Sequence, residues 1–183
     1  MALLHYPVLN KEGKEVTTSV ANMDIHDIAR AAKTYGVKAF YIVNPIEAQR
    51  EFALEIIRHW QTGYGAEFNR SRKEAFTLIR IKNNLSDVLT HIEEETGREP
   101  QSIATGVNLP EQNLKFSELQ QLLQKEDLPY LLIFGTGSGL AKQVIKEANF
   151  QLEPIKGTGD YNHLSVRSAA AIILDRIRKK YIS

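Results

Sequence analysis

Strand-like and helix-like patterns alternate along almost the whole chain, and the strands are too apolar to face water. The run YLLIFG (Tyr130–Gly135) is the most continuous of them. VKAFYIVNP (37–45), AFTLIRIK (75–82), SIATGV (102–107) and FQLEPI (150–155) are of the same kind. A strand apolar on both sides needs cover on both sides, which is the condition of a parallel sheet with helices above and below it. Helical patterns lie between these strands. MDIHDIARAAKTYG (23–36) sets Ile25, Ile28, Ala29 and Ala32 at helical spacing, with Asp24 placed as a cap and Gly36 as a stop. IEAQREFALEIIRHWQTGYG (46–65), NLSDVLTHIEEETG (84–97), KFSELQQLLQKED (115–127), SGLAKQVIKEA (138–148) and a last helix over 164–181 follow. At the start, LLHYPVLN (3–10) reads as a short strand, then a turn at NKEGKE and a second extended piece, VTTSV. No repeat or linker interrupts the alternation. The expectation is one α/β domain over 1–183, a mostly parallel sheet covered by helices on both faces.

The totals remove several function classes. With no cysteine there is no disulfide, no thiolate zinc site and no cysteine nucleophile, a composition compatible with a reducing cytoplasm. A net charge of +1 does not announce nucleic acid, although a local basic patch can hide in neutral totals. No apolar run approaches the roughly 20 residues of a membrane span, and no secretory leader is visible. The histidines, at 5, 26, 59, 91 and 163, lack the spacing of a metal site, so no metal is expected.

Ligands of open α/β sheets bind beyond the carboxyl ends of the strands. Three strand exits here are small and flexible: ATGVN (104–108), GTGSGL (135–140) and IKGTGDYNH (155–163). Each alone reads as a tight turn; three in the last half of one sheet point to a site. GTGSGLAK lacks the Gly-Lys-Ser/Thr ending of a P-loop and is not G-x-G-x-x-G. The first strand-to-helix turn of the alternating pattern, IVNPIE, has no glycine, which disfavours the usual dinucleotide site and an oxidoreductase.

FGTGSGL followed by EPIKGTGDYNHLSVRSAAAIIL resembles the last two motifs of the SPOUT class of RNA methyltransferases. NMDIHDIARAAKTYGVKAFYIVNP is similar to that class's first motif, a helix carrying an arginine and followed by a strand. Taken in order, with GYGAEFN between, these stretches look closest to a bacterial branch of S-adenosylmethionine-dependent RNA methyltransferases, sometimes joined to a tRNA guanine-N1 methyltransferase. The resemblance covers most of the chain. It implies a C-terminal trefoil knot whose loops clasp S-adenosylmethionine, with S-adenosylhomocysteine as product. It further implies a homodimer with its active sites near the subunit interface, acting on tRNA or rRNA in the cytoplasm.

Carried onto this sequence, the resemblance makes Gly135, Thr136, Gly137 and Gly139 cofactor-loop positions, with Leu140 covering one side of the adenine. Thr105 and Gly106 match an earlier cofactor contact. Ile155, Gly157, Leu164 and Val166 complete the pocket, the last two offering apolar surface. Arg30 matches the arginine of the first motif as a catalytic or substrate residue; the plain alternatives are an ion pair with Asp27 or a solvent-facing charge. Asn162 matches the asparagine of the last motif, or simply shapes a turn. His163 is a candidate base because it titrates near neutrality, and Asp160 is another. Asp24, His163, Ser165, Arg167 and Ser168 depart from the larger branch of the class. The alanine run serves either close helix–sheet packing or a subunit interface.

For RNA, NRSRKE supplies Arg70, Arg72 and Lys73 just after the aromatic GYGAEF, a pairing that suits stacking plus phosphate contact. The basic tail, Arg176, Arg178, Lys179 and Lys180, reads as a helix end with cations favoured by its dipole. A rival expectation is a non-catalytic RNA- or partner-binding module that keeps the pocket.

Overall fold

The computed structural model describes residues 1–125 and 128–178. Lys179 and Lys180 of the basic tail, and Glu126 and Asp127 at the expected end of one helix, lie outside them. Six strands form one wholly parallel sheet in the order β5-β4-β1-β7-β6-β8: β1 (Ala2–Leu4), β4 (Phe40–Val43), β5 (Ile79–Lys82), β6 (Gln101–Ala104), β7 (Tyr130–Gly135) and β8 (Phe150–Gln151). The chain builds outward from β1 to β4 and β5. It then crosses to the other side, where β7 inserts between β1 and β6.

Both faces of the sheet are covered, as its apolar strands require. On one face Leu3, Phe40, Ile42, Ile103 and Phe134 share a buried cluster with α1 (Asn22–Thr34), α2 (Glu47–Gln61), α4 (Arg70–Phe76), α6 (Phe116–Lys125) and α8 (Val166–Arg178). On the other, Leu4, Tyr41, Val43, Ala104, Leu131 and Ile133 pack with α5 (Leu85–Thr96) and α7 (Lys142–Glu147). Successive strand residues point to opposite faces, so each strand feeds both cores. Among the alanines of α8, Ala170 is buried in the first of these cores, and Ala169 and Ala171 are half-buried. α8 lies against α1 and α6.

Several boundaries differ from expectation. LLHYPVLN is two strands, not one. It breaks at the cis Tyr6–Pro7 bond, and β2 (Val8–Leu9) leaves the sheet to form a hairpin with β3 (Glu15–Val16). GYGAEFNRSRKEAF holds two short helices, α3 (Tyr64–Phe68) and α4, where only a helix end and a strand start were expected. Asn69 makes the second possible by accepting from the Arg72 amide at 3.0 Å, a side-chain cap. Asp24 is not the cap of α1. The cap position is Ala21, and Asp24 lies inside the first turn, where α8 gives it a partner.

Candidate active site

The three glycine-containing exits belong to β7, β6 and β8, which are neighbours in the sheet. Thr105 and Gly106 follow β6, residues 136–140 follow β7, and residues 152–165 follow β8. The topology therefore gathers them at one carboxyl edge, although they are far apart along the chain.

The loop after β7 is held rigidly. The hairpin reaches over it: the Leu9 amide donates to Gly139 O at 2.9 Å, the Ser138 amide to Leu9 O at 2.7 Å, and Val8 bridges Leu140. Two of its glycines have a packing reason. A Cβ on Gly135 would lie 2.7 Å from the Leu140 amide nitrogen, and one on Gly137 would lie 2.7 Å from Leu9 O. Gly137 and Gly139 also have φ of +60° and +114°, which other L-residues rarely adopt. Leu140 is buried with Val8 and Ala141 in the second core, so it is a core residue here and not an exposed cover. The hydroxyl of Thr136 donates to Leu4 O at 3.1 Å and also bonds the Thr18 hydroxyl. Thr105 is buried, and its hydroxyl donates to Ile133 O at 2.9 Å.

The segment after β8 is different. Between residues 156 and 164 a single hydrogen bond within the described residues holds the chain, from Asn162 Nδ2 to Ile155 O at 2.8 Å. Asn162 thus closes the loop on itself. Gly157 has no positive φ, and a Cβ there would meet only Tyr161 O at 3.8 Å, so neither strain nor crowding demands a glycine. Leu164 is 42% exposed beside this loop and Val107, beyond the β6 exit, 46%, while Ile155 and Val166 pack on the first core. Asp160 and His163 are exposed. This segment thus offers backbone amides without partners among the described residues and an uncovered apolar side chain, Leu164.

Arg167, at the start of α8, reaches across to the start of α1. Its Nη1 lies 3.1 Å from Asp24 Oδ1 and its Nε 3.6 Å from Asp27 Oδ2. Asp27 in turn lies 4.0 Å from Arg30, whose side chain is 60% exposed. The ion pair expected as the plain reading of Arg30 is present, but only at the limit of contact. The guanidinium remains open to solvent, and the carboxylate is shared with Arg167.

A buried polar layer beneath the β7 loop escaped the sequence reading. His5, directly after β1, is fully buried, and its Nδ1 lies 3.1 Å from the Thr18 hydroxyl that meets Thr136. Burial lowers the His5 pKa to about 4, so its ring is neutral near neutrality. Its Nε2 has no partner within the described residues. Asn44, after β4, donates to Thr18 O at 3.1 Å. The signal was in the sequence, since polar residues follow apolar strands at HYP and VNP, but nothing local said that they meet.

The basic segment divides. Arg70 and Lys73 are exposed. Arg72 is half-buried, with its guanidinium 4.4 Å from the centre of the Trp60 ring, a cation–π contact that belongs to the packing of α4 on α2. His26 of α1 meets Trp60 and Phe76 in the same cluster; burial first, then the Arg72 charge, lower its pKa. α1 thus runs between this cluster and the α8 contact, carrying Arg30 with it. A separate cavity of about 370 Å³ lies at the exit of β5, lined by polar residues including Lys82, Asp87, His91 and Glu94. It sits on the opposite edge of the sheet from the glycine exits. Among the described residues there is no cluster able to hold a metal ion and no helix long and apolar enough to cross a membrane.

Known proteins share this architecture. A family model described as SAM-dependent RNA methyltransferase matches residues 1–179. An uncharacterized protein of Aquifex aeolicus is 44% identical over 177 residues, covering 97% of this chain and 86% of its own length. A tRNA (guanine-N(1)-)-methyltransferase of Oleidesulfovibrio alaskensis is 43% identical over 176 residues, 96% of this chain but 41% of its own length. The chain thus spans less than half of that relative. Among solved structures, a putative methylase family protein from Neisseria gonorrhoeae superposes with a TM-score of 0.61 at 21% identity, covering 87% of this chain and 78% of that one. The SpoU methyltransferase AviRb from Streptomyces viridochromogenes, solved with AdoMet, gives 0.58 at 16% identity, covering 90% of this chain and 56% of that one. At such identities the likeness is one of fold, and the fold is the SPOUT type.

Proposed function

The chain belongs to the family of S-adenosylmethionine-dependent RNA methyltransferases, and from that premise we propose that residues 1–183 act as one catalytic domain that methylates tRNA. The gathering of the β7, β6 and β8 exits at one edge, with a rigid loop on one side and the open 155–165 loop on the other, carries the assignment of the cofactor site. Gly106, Gly137, Gly157, Leu164 and the amides of residues 156–161 hold S-adenosylmethionine. Thr105, Thr136, Gly135, Gly139, Leu140, Ile155 and Val166 shape that surface from behind. A C-terminal segment threaded as a trefoil knot is the backbone arrangement we assign to this edge.

The cofactor's sulfonium supplies an electrophilic methyl group, so the protein's task is alignment and proton removal. Arg30 is always charged and exposed, which suits holding a phosphate of the RNA and not accepting a proton. Asn162 sets the shape of the loop. His163, exposed next to it, takes the proton released from the acceptor nitrogen or oxygen. Exposed Met23, in the first turn of α1, offers apolar surface that supports a subunit boundary, and we assign a homodimer on that ground. It works in the cytoplasm, where its RNA is found.

Titration calorimetry with S-adenosylmethionine and S-adenosylhomocysteine tests the cofactor site; no heat at millimolar ligand rejects it. Labelled methyl transfer to unmodified tRNA tests the substrate. Arg30→Ala is expected to abolish transfer while leaving stability within about 0.5 kcal/mol, since the side chain is exposed. Full activity in that variant removes Arg30 from the mechanism.

A further inference from the structure

Helix α3 is seated so that its two large rings are excluded from the protein. Gly63 and Gly65 press on α2 with no room for a side chain: a Cβ on Gly65 would lie 2.7 Å from the Trp60 ring and 2.9 Å from that of His59, and one on Gly63 would lie 2.9 Å from His59 O. Gly65 and Ala66 are buried by this contact. Tyr64 and Phe68, one turn apart, are left 75% and 78% exposed. Their rings are nearly parallel, 20° between planes and 6.3 Å between centres. Large aromatics this exposed are unusual on a soluble surface and mark a contact.

The charge beside them indicates the partner. α4 follows at once with exposed Arg70 and Lys73, and Lys33 neutralises Glu74 at 3.0 Å. Glu67, on α3 itself, is exposed and anionic, so the cations of this surface come from α4. Rings for bases on one helix and cations for phosphates on the next describe a single-stranded nucleic acid surface.

We propose that Tyr64 and Phe68 form a stacking platform for unpaired bases of the RNA substrate, with Arg70 and Lys73 on its phosphates. This rests on the RNA methyltransferase reading and adds the form of RNA engaged: a loop, bulge or end, not continuous duplex. The platform is carried by helices packed on one another, α3 on α2 and α4, and none of its residues belongs to the three loops assigned to the cofactor.

The probe is a short, fluorescent single-stranded RNA oligonucleotide, compared with a duplex of the same sequence. Wild-type protein is expected to prefer the single strand. Replacing both rings (Tyr64→Ala with Phe68→Ala) is expected to weaken that binding roughly tenfold to a hundredfold, the scale of one or two lost base stacks. Tyr64→Phe retains it. Because both rings are exposed, the double variant keeps its melting temperature and its S-adenosylmethionine affinity. Equal binding of single strand and duplex, or an affinity within about twofold of wild type in the double variant, overturns the proposal. So does a double variant whose only change is loss of dimer mass in sedimentation, which reassigns the rings to a second copy of the chain. Failure of the wild type to bind S-adenosylmethionine is a separate result and strikes the underlying reading instead.

Discussion

Replacing Arg167 by methionine keeps much of the side-chain volume and removes the charge that spans α8 and α1. The Asp24 side chain is 11% exposed and that of Arg167 34%. Fully buried pairs lose about 3–5 kcal/mol when one partner is removed, because a charge is left without compensation, whereas exposed pairs lose about 0–1 kcal/mol. This pair is intermediate, and about 2 kcal/mol is the expected loss. For a domain of this size that is a fall of about 4–8 °C in melting temperature, followed by far-ultraviolet circular dichroism. Neutralising the other side as well, in the double variant Arg167→Met with Asp24→Asn, removes the uncompensated carboxylate and recovers part of the loss. Arg167 also ties down the residues that follow the 155–165 loop, so cofactor affinity falls in the single variant. A shift of Arg167→Met below about 1–2 °C, the scatter of ordinary surface changes, refutes the reasoning. A double variant less stable than either single one refutes it too.

The buried His5 makes stability depend on pH. Its folded pKa of about 4 lies below the unfolded value near 6.5, so both states are neutral above that value. As pH falls through this window only the unfolded chain takes up the proton, and about 3 kcal/mol is lost by pH ~4, below which the slope ends. Urea midpoints of wild type and His5→Gln at about pH 7 and about pH 4.5 check this; parallel slopes rule His5 out as the source. The glycines separate folding from binding. Gly137→Ala meets both a positive φ and the Leu9 carbonyl and should lose about 2–4 kcal/mol, whereas Gly139→Ala, strained but uncrowded, should lose about 1–2 kcal/mol. Gly157→Ala should leave stability within about 0.5 kcal/mol and weaken S-adenosylmethionine binding. Unchanged binding there excludes Gly157 from the pocket.

Local pattern determined the class of fold, because an apolar strand closed by a glycine exit has few ways to be covered. YLLIFG and VKAFYIVNP contain their sheet strands within their expected limits, and NLSDVLTHIEEETG is a helix as read, ended by Gly97 at φ +69°. The motif order from MDIHDIARAA to DYNHLSVRSAAA was enough to place the chain in its family. What sequence could not supply was which groups meet across the sheet. Asp24 looked like a cap because its spacing allows one, and it became the partner of a residue 143 positions away. The glycines of GTGSGL looked like flexibility for a ligand, yet two of them make room for the packing of their own loop, Gly137 against a hairpin that begins near residue 8. His5 looked like a polar residue ending a strand and is sealed under that loop. Capping and periodicity act within one or two turns of chain. Ion pairing, close backbone approach and desolvation depend on distances between distant segments, and those distances exist only once the sheet has brought β1, β7, α1 and α8 together.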